Sequence, residues 1–173
     1  MGNNRTMSLL FGLVCLIVVS SDSVSAQEWK KIVPIESNRA EVEEVLGATT
    51  EPYMAFYELE DGKLFIEYSS GPCRADRNGG WNVAENIVVS LHFSPKVKQR
   101  VADLKIDRRK FKEEIDKHSN GFVRYYINNK DGIMYEVQQG EVDYVEYYPP
   151  SKYDHLQCGN GRAALSKSGR KLP

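Results

Sequence analysis

Two rhythms of apolar residues organise the chain beyond its first 30 or so positions. Val42, Val45 and Leu46 recur at helical spacing within the segment Ala40 to Leu46, which predicts a short helix carrying all three on one face. Asn38 and Glu41 stand at capping-box spacing before it, and Gly47 is a natural stop. A period of two then takes over. Tyr53 to Leu59 is rich in aromatic residues, Asp61-Gly62 signals a hairpin turn, and Leu64, Ile66 and Tyr68 alternate with Phe65 and Glu67. After a long aperiodic stretch, Ile87, Val89, Leu91 and Phe93 alternate with Val88, Ser90 and His92. This predicts a half-buried strand with His92 on its outward side.

The same plan returns further on. Asp107 is placed to cap a second helix, with Phe111 and Ile115 four apart among Lys110, Lys112, Glu113 and Glu114, and His118 to Gly121 as its stop. Strands follow over Phe122 to Ile127, Ile133 to Gln138 and Glu141 to Tyr148; Asp131-Gly132 and Gln139-Gly140 turn between them, and Pro149-Pro150 ends the last. Both halves read as one helix followed by three strands. The expected class is α+β, an antiparallel sheet of about six strands with two short helices on one face. The halves form two repeats over about 29–95 and 102–150. Chance likeness is the competing reading of the repetition, because such patterns recur.

The ends read differently. Leu9 to Val19 is an apolar run of about 11 residues, short of the roughly 20 a spanning helix needs. Arg5 precedes it and Val24-Ser25-Ala26 follows, so 1–26 reads as a secretory signal peptide cut before Gln27. A membrane anchor and a lipoprotein leader on Cys15 are the alternatives, and Val14 is not the small residue a lipidated cysteine wants before it. Residues 27–158 are expected to be one domain, and 159–173 a flexible, mildly basic tail. An exported chain keeps two cysteines, Cys73 and Cys158, which favours a disulfide over a Cys–His nucleophile with His155 or two inert thiols. Closing a loop of roughly 84 residues is worth roughly 4 kcal/mol in the chain-entropy picture.

Charge narrows the partners. A formal net charge of −1 offers no basic stripe for nucleic acid. His92, His118 and His155 form no metal-type pair, and no phosphate-binding glycine loop or nucleophile elbow occurs, so no cofactor is expected. Glu67 and Glu136 each follow an Asp-Gly turn and are the candidate pair for glycoside hydrolysis. The stretch from Ser69 to Glu85 is about 17 residues long, beyond ordinary hairpin loops. It carries Cys73, Arg74, Arg77 and Trp81, and Arg and Trp are frequent at binding hot spots. The competing reading has Trp81 folded back on the sheet. Tyrosines crowd the last three strands, and alternation turns some of them away from the helices. Tyr126, Tyr135 and Tyr144 are the candidates for a partner-binding surface, against plain strand propensity as the alternative.

The segment Ile32-Val-Pro-Ile-Glu-Ser-Asn-Arg-Ala-Glu-Val-Glu-Glu-Val-Leu-Gly47 resembles the opening of bacterial envelope proteins of the SmpA/OmlA type and of repeats in β-lactamase-inhibitor-like proteins. The resemblance implies helices packed on an antiparallel sheet and used for protein–protein contact. The chain departs from that pattern in lacking a lipobox cysteine and in having Ala48-Thr49 after the helix. Together these features point to a secreted or periplasmic, non-catalytic protein-binding or scaffold module with no membrane anchor after cleavage. A small secreted hydrolase is the alternative.

Overall fold

The computed structural model describes residues 29–74, 79–104 and 106–159. The expected signal peptide, Arg77 and most of the expected tail lie outside these residues. Helix α1 (Arg39–Leu46) begins where the capping box places it: the Glu41 N–H donates to Asn38 Oδ1 at 3.2 Å and the Asn38 N–H to Glu41 Oε2 at 2.9 Å. It ends at Gly47, whose φ of +93° a side chain would resist. Val42 is fully buried and Leu46 packs against the core, but Val45 is 56% exposed. Around the helix Leu46 falls about 40° to one side of Val42 and Val45 about 60° to the other, so the side that seats Val42 and Leu46 leaves Val45 at the rim.

Seven strands follow: β1 (Met54–Glu58), β2 (Gly62–Tyr68), β3 (Val88–Pro95), β4 (Lys112–Ile115), β5 (Val123–Asn128), β6 (Ile133–Gln138) and β7 (Glu141–Tyr147). They form one antiparallel sheet in the order β1-β2-β3-β7-β6-β5-β4. Hairpins join β1 to β2, β5 to β6 and β6 to β7, while β3 meets β7 through Leu91↔Tyr147, His92↔Glu146 and Phe93↔Val145.

The second expected helix is a correction. Asp107 caps only one 3-10 turn, Arg108–Lys110; Phe111 is already extended, and Lys112–Ile115 pairs with β5 as strand β4. The four-residue spacing of Phe111 and Ile115 misled, since Phe111 packs inward while Ile115 is 53% exposed. A helix with two apolar positions has too little to bury, whereas β5 offers a complete ladder of backbone partners. The sheet consequently has seven strands rather than six, and α1 is the α-helix among the described residues. None of their helices is long and apolar enough to cross a membrane.

Register decides which face is which, because paired residues point the same way. Ala55, Tyr57, Leu64, Ile66, Tyr68, Leu91, Phe93 and Tyr147 share one face and form a core with Val42, Trp29 and Ile32. Tyr126, Tyr135, Val137, Val142 and Val145 lie on the same face, packed against Val101, Leu104 and Phe111. Two bulges keep this face continuous. Val89 is the extra residue between Ser90 and Val88 opposite Glu67 and Tyr68, and Asp143 the extra one between Tyr144 and Val142 opposite Glu136 and Val137. Each bulge turns a valine, Val88 and Val142, into the core.

Beyond β7 the chain crosses the end of the sheet. Cys158 is disulfide-bonded to Cys73, with Cα atoms 5.6 Å apart. The Asn82 N–H donates to the Leu156 carbonyl at 2.7 Å and the Cys158 N–H to the Gly80 carbonyl at 3.0 Å, so the long loop is laced to the last segment.

Candidate binding face

Every strand residue of both buried clusters lies on the face toward α1 and the 96–111 segment. The opposite face is assembled by the alternate positions. Phe56, Phe65, His92, Glu146, Met134, Ile127 and Lys112 form one row, one residue from each strand, each registered against the next. Beside it runs a second line, Tyr144, Glu136, Tyr125 and Glu114. Ring centroids are 4.8 Å apart for Phe56 and Phe65, 5.6 Å for Phe65 and His92, and 5.7 Å for His92 and Tyr144. Such tilted contacts add to area burial. His92 Nε2 lies 3.5 Å from Glu146 Oε1, and the Ser90 hydroxyl donates to Glu67 Oε2 at 3.2 Å. The result is an aromatic track bordered by carboxylates.

The structure separates the predicted tyrosines. Tyr144 is on this face, joined by Tyr125. Tyr126 and Tyr135 are on the covered one: Tyr126 is 5% exposed, with the Arg108 guanidinium hydrogen-bonded to its hydroxyl at 2.9 Å, and the Tyr135 ring meets Phe111 at a tilt of 54°. Their odd–even places in the strands were readable, but which parity faces the helix depends on pairing across β3 and β7, which no local pattern encodes.

Trp81 is half-buried and its backbone bridges to Gln157; Arg74 is exposed two residues beyond Pro72. Neither lies on the aromatic row. Cys158 is in the disulfide and so offers no thiol to His155, whose Nδ1 is 3.1 Å from the Lys152 carbonyl oxygen. Glu67 on β2 and Glu136 on β6 share a face but stand three strand spacings apart, with a further offset of four residues along the strands, so their backbones are more than roughly 14 Å apart. Glycosidase carboxylates stand about 5–9.5 Å apart. Among the described residues no group of three His, Cys, Asp or Glu side chains has metal-binding proximity. Phe56, Phe65, Tyr125 and Glu146 entered the site only through the register; His92 was marked by its outward position in a clean alternation.

Burial, then the nearby Glu136 and Glu146 carboxylates, hold the Tyr144 hydroxyl protonated far above the usual tyrosine range, and Tyr125 is pushed up to about 12 by burial and Glu136. Burial likewise pushes Tyr147 up to about 12 and raises Tyr68 and Tyr148. An unfolded chain releases these protons near pH 10. Between pH 10 and 12 the folded state binds more protons than the unfolded one, so stability is intact below pH 10 and falls as pH rises through this window. Absorbance at 295 nm is expected to show phenolate appearing together with loss of folded-state circular dichroism. Reversible ionisation of all ten tyrosines near pH 10 in a folded chain would contradict this.

Comparison with protein-family models, with curated proteins and with solved structures finds no match for this chain.

Proposed function

We propose that the chain is an exported, non-catalytic module that binds another protein through the sheet face bearing Phe56, Phe65, His92, Glu146 and Tyr144. The observation that carries this reading is the one-sidedness of the core. All the strand residues of both buried clusters serve one face, while the other presents aromatic rings in a continuous track. Aromatic residues with polar tips are the side chains that gain most from a protein partner. Export is supported by the Cys73–Cys158 bridge, since structural disulfides persist in oxidising compartments, and by the leader-like residues 1–26. The same reading keeps the envelope-protein resemblance of residues 32–47 and a duplicated origin for the two three-strand meanders β1-β2-β3 and β5-β6-β7. Their last strands pair with each other about His92 and Glu146.

A photo-crosslinking side chain placed at Phe65 or Tyr144 in the exporting cell is expected to trap a discrete protein. The same group at Glu44, exposed on α1, is expected to trap none. Equal trapping from Glu44, or none from the sheet positions, would remove the face as the docking surface.

A further inference from the structure

β1 is an edge strand, and its hydrogen-bond parity can be worked out. The Tyr68 N–H donates to the Tyr53 carbonyl at 2.9 Å and the Leu59 N–H to the Gly62 carbonyl at 2.8 Å. In an antiparallel pair, bonded and non-bonded positions alternate. Tyr53, Ala55, Tyr57 and Leu59 therefore turn their backbone groups toward β2, and Met54, Phe56 and Glu58 turn theirs outward, away from the sheet. Those three also carry their side chains on the open face, where Met54 is 43% and Phe56 67% exposed. Natural sheets close such edges with charge, proline or a bulge. The opposite edge is closed in this way, since β4 reads Lys112-Glu113-Glu114-Ile115. β1 has no bulge and no proline between its ends, and Glu58 is its one charged residue.

We propose that β1 pairs antiparallel with β1 of a second copy of this chain, centred on Phe56. The outward edge of β1 is self-complementary. In this register Phe56 meets Phe56, Met54 meets Glu58 and Ala55 meets Tyr57. It is the one antiparallel register in which all three outward residues find one another, giving three pairs that each exchange two backbone hydrogen bonds. Sliding one pair toward the start sets Pro52, which has no N–H, opposite Glu58. Sliding one pair the other way sets Met54 opposite Glu60, beyond the end of β1. On the covered face small Ala55 lies opposite large Tyr57, so the two bulky rings do not compete for one place. No like charges fall opposite each other, and a net charge of −1 per chain opposes association little. On the open face the two Phe56 rings meet across the dyad, each already 4.8 Å from its own Phe65. The aromatic track of one copy then continues into that of the other.

This inference stands apart from the docking role of the face, and the test separates them. Sedimentation equilibrium of the chain purified after export, with its disulfide intact, is expected to return twice the chain mass at tens of micromolar. Phe56→Pro removes an N–H that β2 does not use, and Phe56→Lys sets two cations face to face; both are expected to halve the mass. Tyr144→Ser, which weakens the docking face, is expected to leave the mass doubled. Amide exchange in the wild type supplies a check that needs no variant. Met54, Phe56 and Glu58 are expected to be protected in concentrated solution and to exchange at least tenfold faster on dilution, while Ala55 and Tyr57 stay protected at both concentrations. A single-chain mass throughout, or outward amides whose exchange ignores concentration, overturns the proposal.

Discussion

Replacing Cys73 or Cys158 by serine is expected to lower stability by about 4 kcal/mol. The bridge joins residues 85 apart in sequence, so the unfolded chain regains the entropy of a long loop when it is cut. A domain of this size has roughly 5–15 kcal/mol in total, so the variant is left marginal. The melting midpoint is expected to fall by about 8–16 °C. The local consequence follows from what the bridge laces together. Without it, the Asn82–Leu156 and Cys158–Gly80 backbone bonds tie an aperiodic loop to a segment that has left the sheet, and both ends are free to part. The seven-stranded ladder does not depend on them. Urea titrations of the serine variant and of the reduced wild type are expected to coincide, well below the oxidised wild type. Identical midpoints for oxidised and reduced protein, or two alkylatable thiols in the native chain, would exclude a structural staple.

What the sequence made readable follows from how locally each feature is encoded. Asn38, Glu41 and Gly47 mark α1 to the residue because caps are satisfied within one turn. The hairpin strands were likewise evident from their alternation and Asp-Gly turns. The second helix was misread because a charged run with two apolar residues four apart satisfies a helical template and a solvent-exposed edge strand equally. The deciding contact, Glu113 opposite Tyr126, lies across a turn. The binding face was least readable. Tyr125 and Tyr126 are adjacent and chemically alike, yet one is on the aromatic face and the other beneath Arg108. What tells them apart is the pairing of β3 with β7, between residues more than 50 positions apart, together with the single-residue bulges at Val89 and Asp143. A bulge exchanges inside for outside, and nothing in the local alternation announces it.

Gly132→Ala is expected to be as damaging as loss of the disulfide, for a reason that its Asp-Gly turn conceals. Its φ of +64° costs an alanine about 1 kcal/mol. The larger part is steric. A Cβ there would intrude on the Tyr148 carbonyl oxygen and stand 2.8 Å from the Pro150 nitrogen, and both are backbone atoms of the chain returning past the turn. That return is fixed. The Tyr148 N–H donates to the Gly132 carbonyl at 2.9 Å, the Ser151 N–H donates to the Asn129 carbonyl at 2.8 Å, and Pro150 is fully buried. Relief requires β7's end to move away, giving up these two bonds at about 1 kcal/mol each and loosening the packing around Pro150. The expected total is about 3–5 kcal/mol. Gly121→Ala is the matched control, with a φ of +82° and open space where its Cβ would go. It is expected to cost about 1 kcal/mol. Chemical denaturation of the two variants side by side separates strain from collision. Equal losses would mean that backbone conformation accounts for both and that the returning chain yields freely. A loss several times larger at Gly132 would place the rigid crossing of the sheet's end there, at the point from which the chain runs on to Cys158.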